Sequence, residues 1–180
     1  KNIKDIPPYI GAYIAGFVDG EGSFNVSFCH RPDHTLAWKT VLTFNVAQRD
    51  RTVLALISSI LDAVDCKRDA MGLVLRRFES SIDEERVIPF FERFSFLSAK
   101  SKRNFTIFKK IAHLVSEKKH LTREGLEAIA HLRETLNEGR GRTRKYTIDH
   151  ILDDGNGNPQ RLHAERDENR DDIVRPHGRP

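Results

Sequence analysis

Asp19-Gly20-Glu21-Gly22 sets two carboxylates among glycines at the point where helical spacing gives way to strand alternation. Upstream, Tyr9, Ile10, Tyr13, Ile14, Phe17 and Val18 recur at helical spacing and predict a helix opened by Pro7 and Pro8. Gly20 and Gly22 end it, so Glu21 stands at a helix C-terminus, where the last carbonyls lack backbone partners and carry partial negative charge. A divalent cation is favoured there, which makes this a metal-binding element of an active site. The competing reading is a plain turn with solvated acids, since short motifs recur without chemical meaning.

The elements around Glu21 follow from periodicity. The other face of the helix carries Gly11, Ala12, Ala15 and Gly16, bare enough for a second helix to approach closely. Residues 24–31 alternate as a half-buried strand, with Phe24, Val26 and Phe28 inward and Asn25, Ser27, Cys29 and Arg31 on an open face. From Trp38 to Gln48 the alternation resumes, with Lys39, Val41, Thr43 and Asn45 outward. Asp50 caps a helix through Asp62. A second hairpin, carrying Lys67 and Arg76, turns near Met71-Gly72. A helix then runs to Phe96 with Pro89 bending or starting it, and further helices span 102–118 and 122–136, with Thr122 as the cap of the latter. Gly139 to Lys145 is a basic loop, 146–152 a last short helix, and the polar residues after Leu152 read as a loose tail. Helices on one face of an antiparallel sheet make an α+β plan.

The formal charge is +4, and residues 153–180 hold seven acids against five arginines, leaving +6 on residues 1–152. Such a basic body suits a nucleic-acid partner. No apolar run approaches the roughly 18 residues of a membrane span, and no signal-peptide pattern opens the chain, so a soluble, intracellular protein without a membrane partner is expected. Cys29 and Cys66, without Cys-x-x-Cys spacing, read as free thiols. A polar sheet face by itself suits solvent as well as DNA.

Taken at full length, Ile14-Ala15-Gly16-Phe17-Val18-Asp19-Gly20-Glu21-Gly22 resembles the LAGLIDADG motif of homing endonucleases. Glu21 falls on the motif's last acidic position, where the family accepts Asp or Glu. Gly22-Ser23-Phe24 with its strand, Phe44-Asn45-Val46-Ala47-Gln48, Val87-Ile88-Pro89-Phe90-Phe91-Glu92 and Lys100-Ser101-Lys102-Arg103 look like the same family in the same order. The resemblance implies an αββαββα core with an antiparallel DNA-binding sheet and additional C-terminal helices, in a domain over residues 1–152 followed by a flexible tail over 153–180.

It also implies a site-specific double-strand DNA endonuclease of the intron-encoded homing type, cutting a long, partly palindromic target. With one motif copy per chain, the expected assembly is a homodimer joined through Gly11, Ala12, Ala15 and Gly16, which brings two Glu21 carboxylates together. Mg²⁺, replaceable for binding by Mn²⁺ or Ca²⁺, is held by Glu21 and the Gly20 carbonyl with phosphate oxygens and water. Gln48 and either Lys100 or Lys102 match the family's solvent-ordering positions, and Arg51 matches less closely. Base contacts are expected from Asn25, Ser27, Arg31, Lys39, Thr43, Asn45, Lys67 and Arg76. Phosphate contacts are expected from Lys100, Lys102, Arg103, Arg140, Arg142, Arg144 and Lys145. The alternatives are an RNA-binding maturase that assists intron splicing and a non-catalytic DNA-binding protein. Glu21 speaks against both, because a pure binder gains nothing from a carboxylate that repels phosphates.

Overall fold

The computed structural model describes residues 2–33, 36–61, 65–69, 72–77, 86–137 and 144–153. Helix α1 covers Pro8–Glu21, strand β1 Gly22–His30, β2 Trp38–Gln48, helix α2 Arg51–Leu61, β3 Asp65–Asp69 and β4 Gly72–Arg77. Helices α3 (Ile88–Arg93), α4 (Ala99–Ser116), α5 (Arg123–Glu134) and α6 (Ile148–Asp153) follow. The α+β plan is therefore the expected one, with helices added after the αββαββα core. None of the described helices is long and apolar enough to cross a membrane.

Local chemistry explains most element ends. Pro8 opens α1, Asp50 Oδ1 accepts the Thr52 N–H at 2.8 Å to start α2, and Thr122 Oγ1 accepts the Gly125 N–H at 3.2 Å to start α5. The helix expected from Lys102 begins instead at Ala99, because Ser98 caps it by accepting the Ser101 N–H at 3.1 Å. The helix expected to reach Phe96 stops at Arg93, where Phe94 leaves helical geometry and its ring lies against Gly11. Ser81 and Asp83, side chains of the kind that cap a helix, precede α3 in the chain and lie outside the described residues.

The four strands run antiparallel in the order β1-β2-β4-β3. Phe24 pairs with Phe44 and Gly22 with Val46 across β1 and β2, so Phe24, Val26, Phe28, Leu42, Phe44 and Val46 all turn to the buried side. Burying a side chain of this size stabilises by roughly 1.5–3 kcal/mol. The Phe24 ring sits 5.0–5.9 Å from those of Phe44, Phe91, Phe96, Phe105 and Phe108, which fastens α3 and α4 to the edge strand β1. On the opposite face Ser27 and Lys39 are exposed and Asn25 and Asn45 half-buried. Thr43 departs from expectation: it is 8% exposed, its short side chain recessed on an interior strand between β1 and β4.

A second correction concerns α1. Gly11, Ile14, Ala15 and Val18 are its buried residues, while Tyr9, Ala12, Tyr13 and Gly16 are exposed. A Cβ on Gly11 would lie 2.3–2.4 Å from the Phe94 ring, so this glycine serves the chain's own core. Gly11 and Ala15 thus cannot meet a second chain as expected. The outward small residues are Ala12, Gly16 and Gly20, and open space surrounds the missing Cβ of both glycines.

Candidate active site

Gly22 ends α1 and begins β1 with no intervening loop, its N–H donating to the Val18 carbonyl. A Cβ there would come within 2.5 Å of Val18 Cγ1 and 2.7 Å of Val18 O, so only glycine permits so abrupt a turn. Glu21 is consequently the last helical residue. It is exposed and has no hydrogen bond or ion pair among the described residues.

The sheet register brings β2 to the same place. Gly22 is opposite Val46, so Gln48 runs past the start of β1 to the level of the last turn of α1. Its Oε1 accepts the Arg49 N–H at 2.7 Å. Arg51, the first residue of α2, is exposed nearby in the chain.

Asp19, which carries no expected role, joins the third element. Its Oδ2 accepts the backbone N–H of Leu97 at 3.0 Å and of Ser98 at 2.8 Å, and its Oδ1 accepts the Ser98 hydroxyl at 2.5 Å. The Asp19 carbonyl accepts the Ser101 hydroxyl at 3.4 Å. An anion at a helix N-terminus meets both unpaired N–H groups and the positive end of the dipole. Partial burial pushes this carboxyl up, but hydrogen bonds from Ser101, Ser98 and Leu97 outweigh it and bring the pKa from 3.8 to about 2. The partners lie 78 and 79 residues along the chain, so no local pattern announces the clamp.

The clamp pins the start of α4 to the end of α1. Lys100 and Lys102 flank Ser101 in the first turn of α4, and both are exposed, as is Arg103. Glu21, Gln48 and Lys100 therefore issue from three elements that meet at one end of the sheet. Among the described residues no group of three His, Cys, Asp or Glu side chains is arranged to hold a metal. The donors present, one carboxylate and the terminal carbonyls of α1, are hard oxygens of the kind Mg²⁺ and Ca²⁺ take. They fit such an ion as part of a ligand set and not as the whole of one.

The open face gathers Asn25, Ser27, Lys39 and Asn45, with Arg31 exposed just beyond β1. Lys67 and Arg76 take register positions opposite Val74 and Asn45, and their side chains lie outside those described. Arg140 and Arg142 lie outside the described residues. Lys145 is exposed with its Nζ 5.0 Å from the Tyr146 ring centre. Arg144 corrects the expectation of a phosphate contact. Its Nη2 donates to the Arg133 carbonyl at 2.6 Å and the Leu136 carbonyl at 3.2 Å, and its Nε pairs with Glu134 at 2.9 Å. It closes the C-terminal carbonyls of α5.

The model of the LAGLIDADG endonuclease family matches residues 14–112, from within α1 to within α4. The chain is 31% identical over 146 residues to the probable intron-encoded endonuclease 2 of Neurospora crassa, covering 78% of this chain and 32% of that protein. In structure it is similar to the I-LtrWI LAGLIDADG homing endonuclease bound to target DNA, with a TM-score of 0.69 and 28% identity over 78% of this chain and 47% of that one. It is similar also to the archaeal intron-encoded homing endonuclease I-Vdi141I complexed with DNA, with a TM-score of 0.72 and 28% identity over 81% of this chain and 93% of that one. The chain spans about a third of the length of its curated relative and about half of I-LtrWI. With more than half of its residues matched by the family model, and with Glu21 on the glycine-bounded end of α1, this chain belongs to the LAGLIDADG endonuclease family.

Proposed function

We propose that this chain is a site-specific double-strand DNA endonuclease of the intron-encoded homing type, working as a homodimer with a divalent metal. One observation carries the proposal: Glu21 is an exposed carboxylate without a partner among the described residues, held at the rim of a polar antiparallel face. An acid there weakens plain DNA binding and is useful only where a cation accompanies the phosphate. The relative named above is a probable intron-encoded endonuclease and both similar structures hold DNA, which supports this partner.

Asn25, Ser27, Arg31, Lys39 and Asn45 face the major groove, with Lys67 and Arg76 continuing the surface on the second hairpin; Asn suits adenine and Arg guanine. Lys102, Arg103, Arg140, Arg142 and Lys145 contact phosphates. Glu21 and the Gly20 carbonyl hold Mg²⁺, for which Mn²⁺ or Ca²⁺ can substitute in binding. Such an ion, when bound, lowers the pKa of an attacking water and clamps the phosphate in line. Gln48 orients that water and Lys100 offsets charge on the scissile phosphate, while Arg51 adds positive charge beside them. Asp19 keeps Lys100 in place by holding the first turn of α4. Each chain cuts one strand, and a second copy packed along Ala12, Gly16 and Gly20 brings the other Glu21 alongside.

Incubating the protein with a randomised duplex library and Mg²⁺, then sequencing the cut ends, tests the reading. Wild type should cut both strands of a narrow set of sequences, and Glu21→Gln should bind that set without cutting. A wild-type protein that selects sequences yet cuts none with Mg²⁺ or Mn²⁺ is a binder and not a nuclease.

A further inference from the structure

Asn137 follows α5 in the left-handed region, φ 54°, which Asn tolerates better than most residues. Its backbone N–H donates to Asn104 Oδ1 at 3.1 Å, and its own Oδ1 accepts Asn104 Nδ2 at 2.9 Å. Asn104 is 4% exposed, so this reciprocal pair is set in the core. Asn137 Nδ2 then reaches β1, donating to the Phe24 carbonyl at 2.5 Å and to Asn25 Oδ1 at 3.4 Å. Asn25 Nδ2 in turn donates to Ser23 Oγ at 3.0 Å. One line of hydrogen bonds thus runs from the core to the open face.

The polarity of that line is decided at backbone groups. The Asn137 N–H can only donate, which makes the Asn104 oxygen its acceptor and leaves the Asn104 amide nitrogen to face Asn137 Oδ1. The Phe24 carbonyl can only accept, which requires Asn137 Nδ2 beside it. Both anchors agree, so the Asn137 amide cannot turn over without breaking two bonds. Asn25 must therefore present Oδ1 on the Asn137 side and Nδ2 on the Ser23 side.

We propose that Asn137 is a positioning residue that fixes the donor–acceptor order of Asn25 and thereby selects the base pair read there. The inference rests on the reading of the sheet face as a DNA surface. An Asn amide reads adenine through one acceptor and one donor in a set order, so reversing the amide changes what it accepts. Asn137→Asp keeps the size, the left-handed backbone and the acceptor for Asn104, but sets an oxygen where a donor stood, against Asn25 Oδ1 and the Phe24 carbonyl alike, so it gives up the bond to β1 as well. Asn25 then turns Nδ2 toward residue 137 and accepts from the Ser23 hydroxyl instead. Asn137→Gly keeps the backbone and removes the part of the constraint that Asn137 supplies.

The test selects bound duplexes from a randomised library with wild type, Asn25→Ala, Asn137→Asp and Asn137→Gly, and records thermal melts of all four. Asn25→Ala should lose preference at one base pair per half-site, by about 5- to 150-fold. Asn137→Asp should change the preferred base at that pair, Asn137→Gly should relax it, and other positions should keep their wild-type profile. If Asn25→Ala changes one pair and both Asn137 variants leave it untouched, the positioning role is wrong while the sheet still reads DNA. If Asn25→Ala changes no position, the sheet reading fails at this residue and the inference falls with it. Weakening spread evenly over all positions, with lowered melting temperatures, would assign Asn137 a structural role alone and overturn the proposal.

Discussion

Replacing Asp19 by Asn removes the charge of the clamp between α1 and α4 while keeping its shape. The carboxylate accepts two backbone N–H groups and one hydroxyl, all at the start of α4. Charge-assisted bonds of this kind are about twice as strong as neutral ones. Lowering a carboxyl from 3.8 to about 2 corresponds to roughly 2 kcal/mol of folding free energy. Because Asp19 keeps some contact with solvent, screening reduces this to about 1–2 kcal/mol. The folded pKa is the depressed one, so the contribution is complete above pH ~4 and disappears as pH falls from ~4 to ~2. Urea unfolding across this range should find Asp19→Asn less stable by about 1–2 kcal/mol at neutral pH, with the gap closing near pH ~2. The loosened α4 should also displace Lys100, lowering kcat more than DNA affinity. A stability gap unchanged between neutral pH and pH ~2, or no gap at all, would refute the assigned role of the charge.

Gly11→Ala should destabilise the chain by about 1–3 kcal/mol in thermal melts, since its Cβ meets the Phe94 ring. Gly16→Leu, with open space around it, should leave the fold intact but convert a dimer to monomer in light scattering; the reverse pattern would restore Gly11 to the interface. Arg144→Ala should cost about 1–3 kcal/mol by uncapping α5 and leave the salt dependence of DNA binding unchanged. Lys145→Ala should instead flatten that dependence by about one phosphate contact, and equal slopes for the two variants would contradict the distinction. Excess EDTA should abolish cleavage while specific binding persists, and cutting that survives the chelator would remove the metal from the mechanism.

Much of this molecule is local in origin. The glycines around Glu21 stop α1 and turn the chain at once into β1, because a Cβ at residue 22 has nowhere to go. Alternation from Trp38 to Gln48, interrupted in burial at Thr43, defines β2, since one buried face leaves no other register. Asp50 and Thr122 open their helices with their own side chains. The motif could therefore be read without coordinates. The inward face of α1 could not, because apolar and small residues surround that helix and periodicity identifies residues sharing a face without saying which face is covered. Phe94, arriving from beyond α3, covers Gly11 and decides it. Asp19, Asn137 and Arg144 belong to the same class: each is an ordinary polar residue until chain closure brings a helix end or a strand carbonyl within hydrogen-bond reach. Hydrogen bonds act over about 3 Å and are blind to sequence separation, so their partners are known only once the core has brought the elements together.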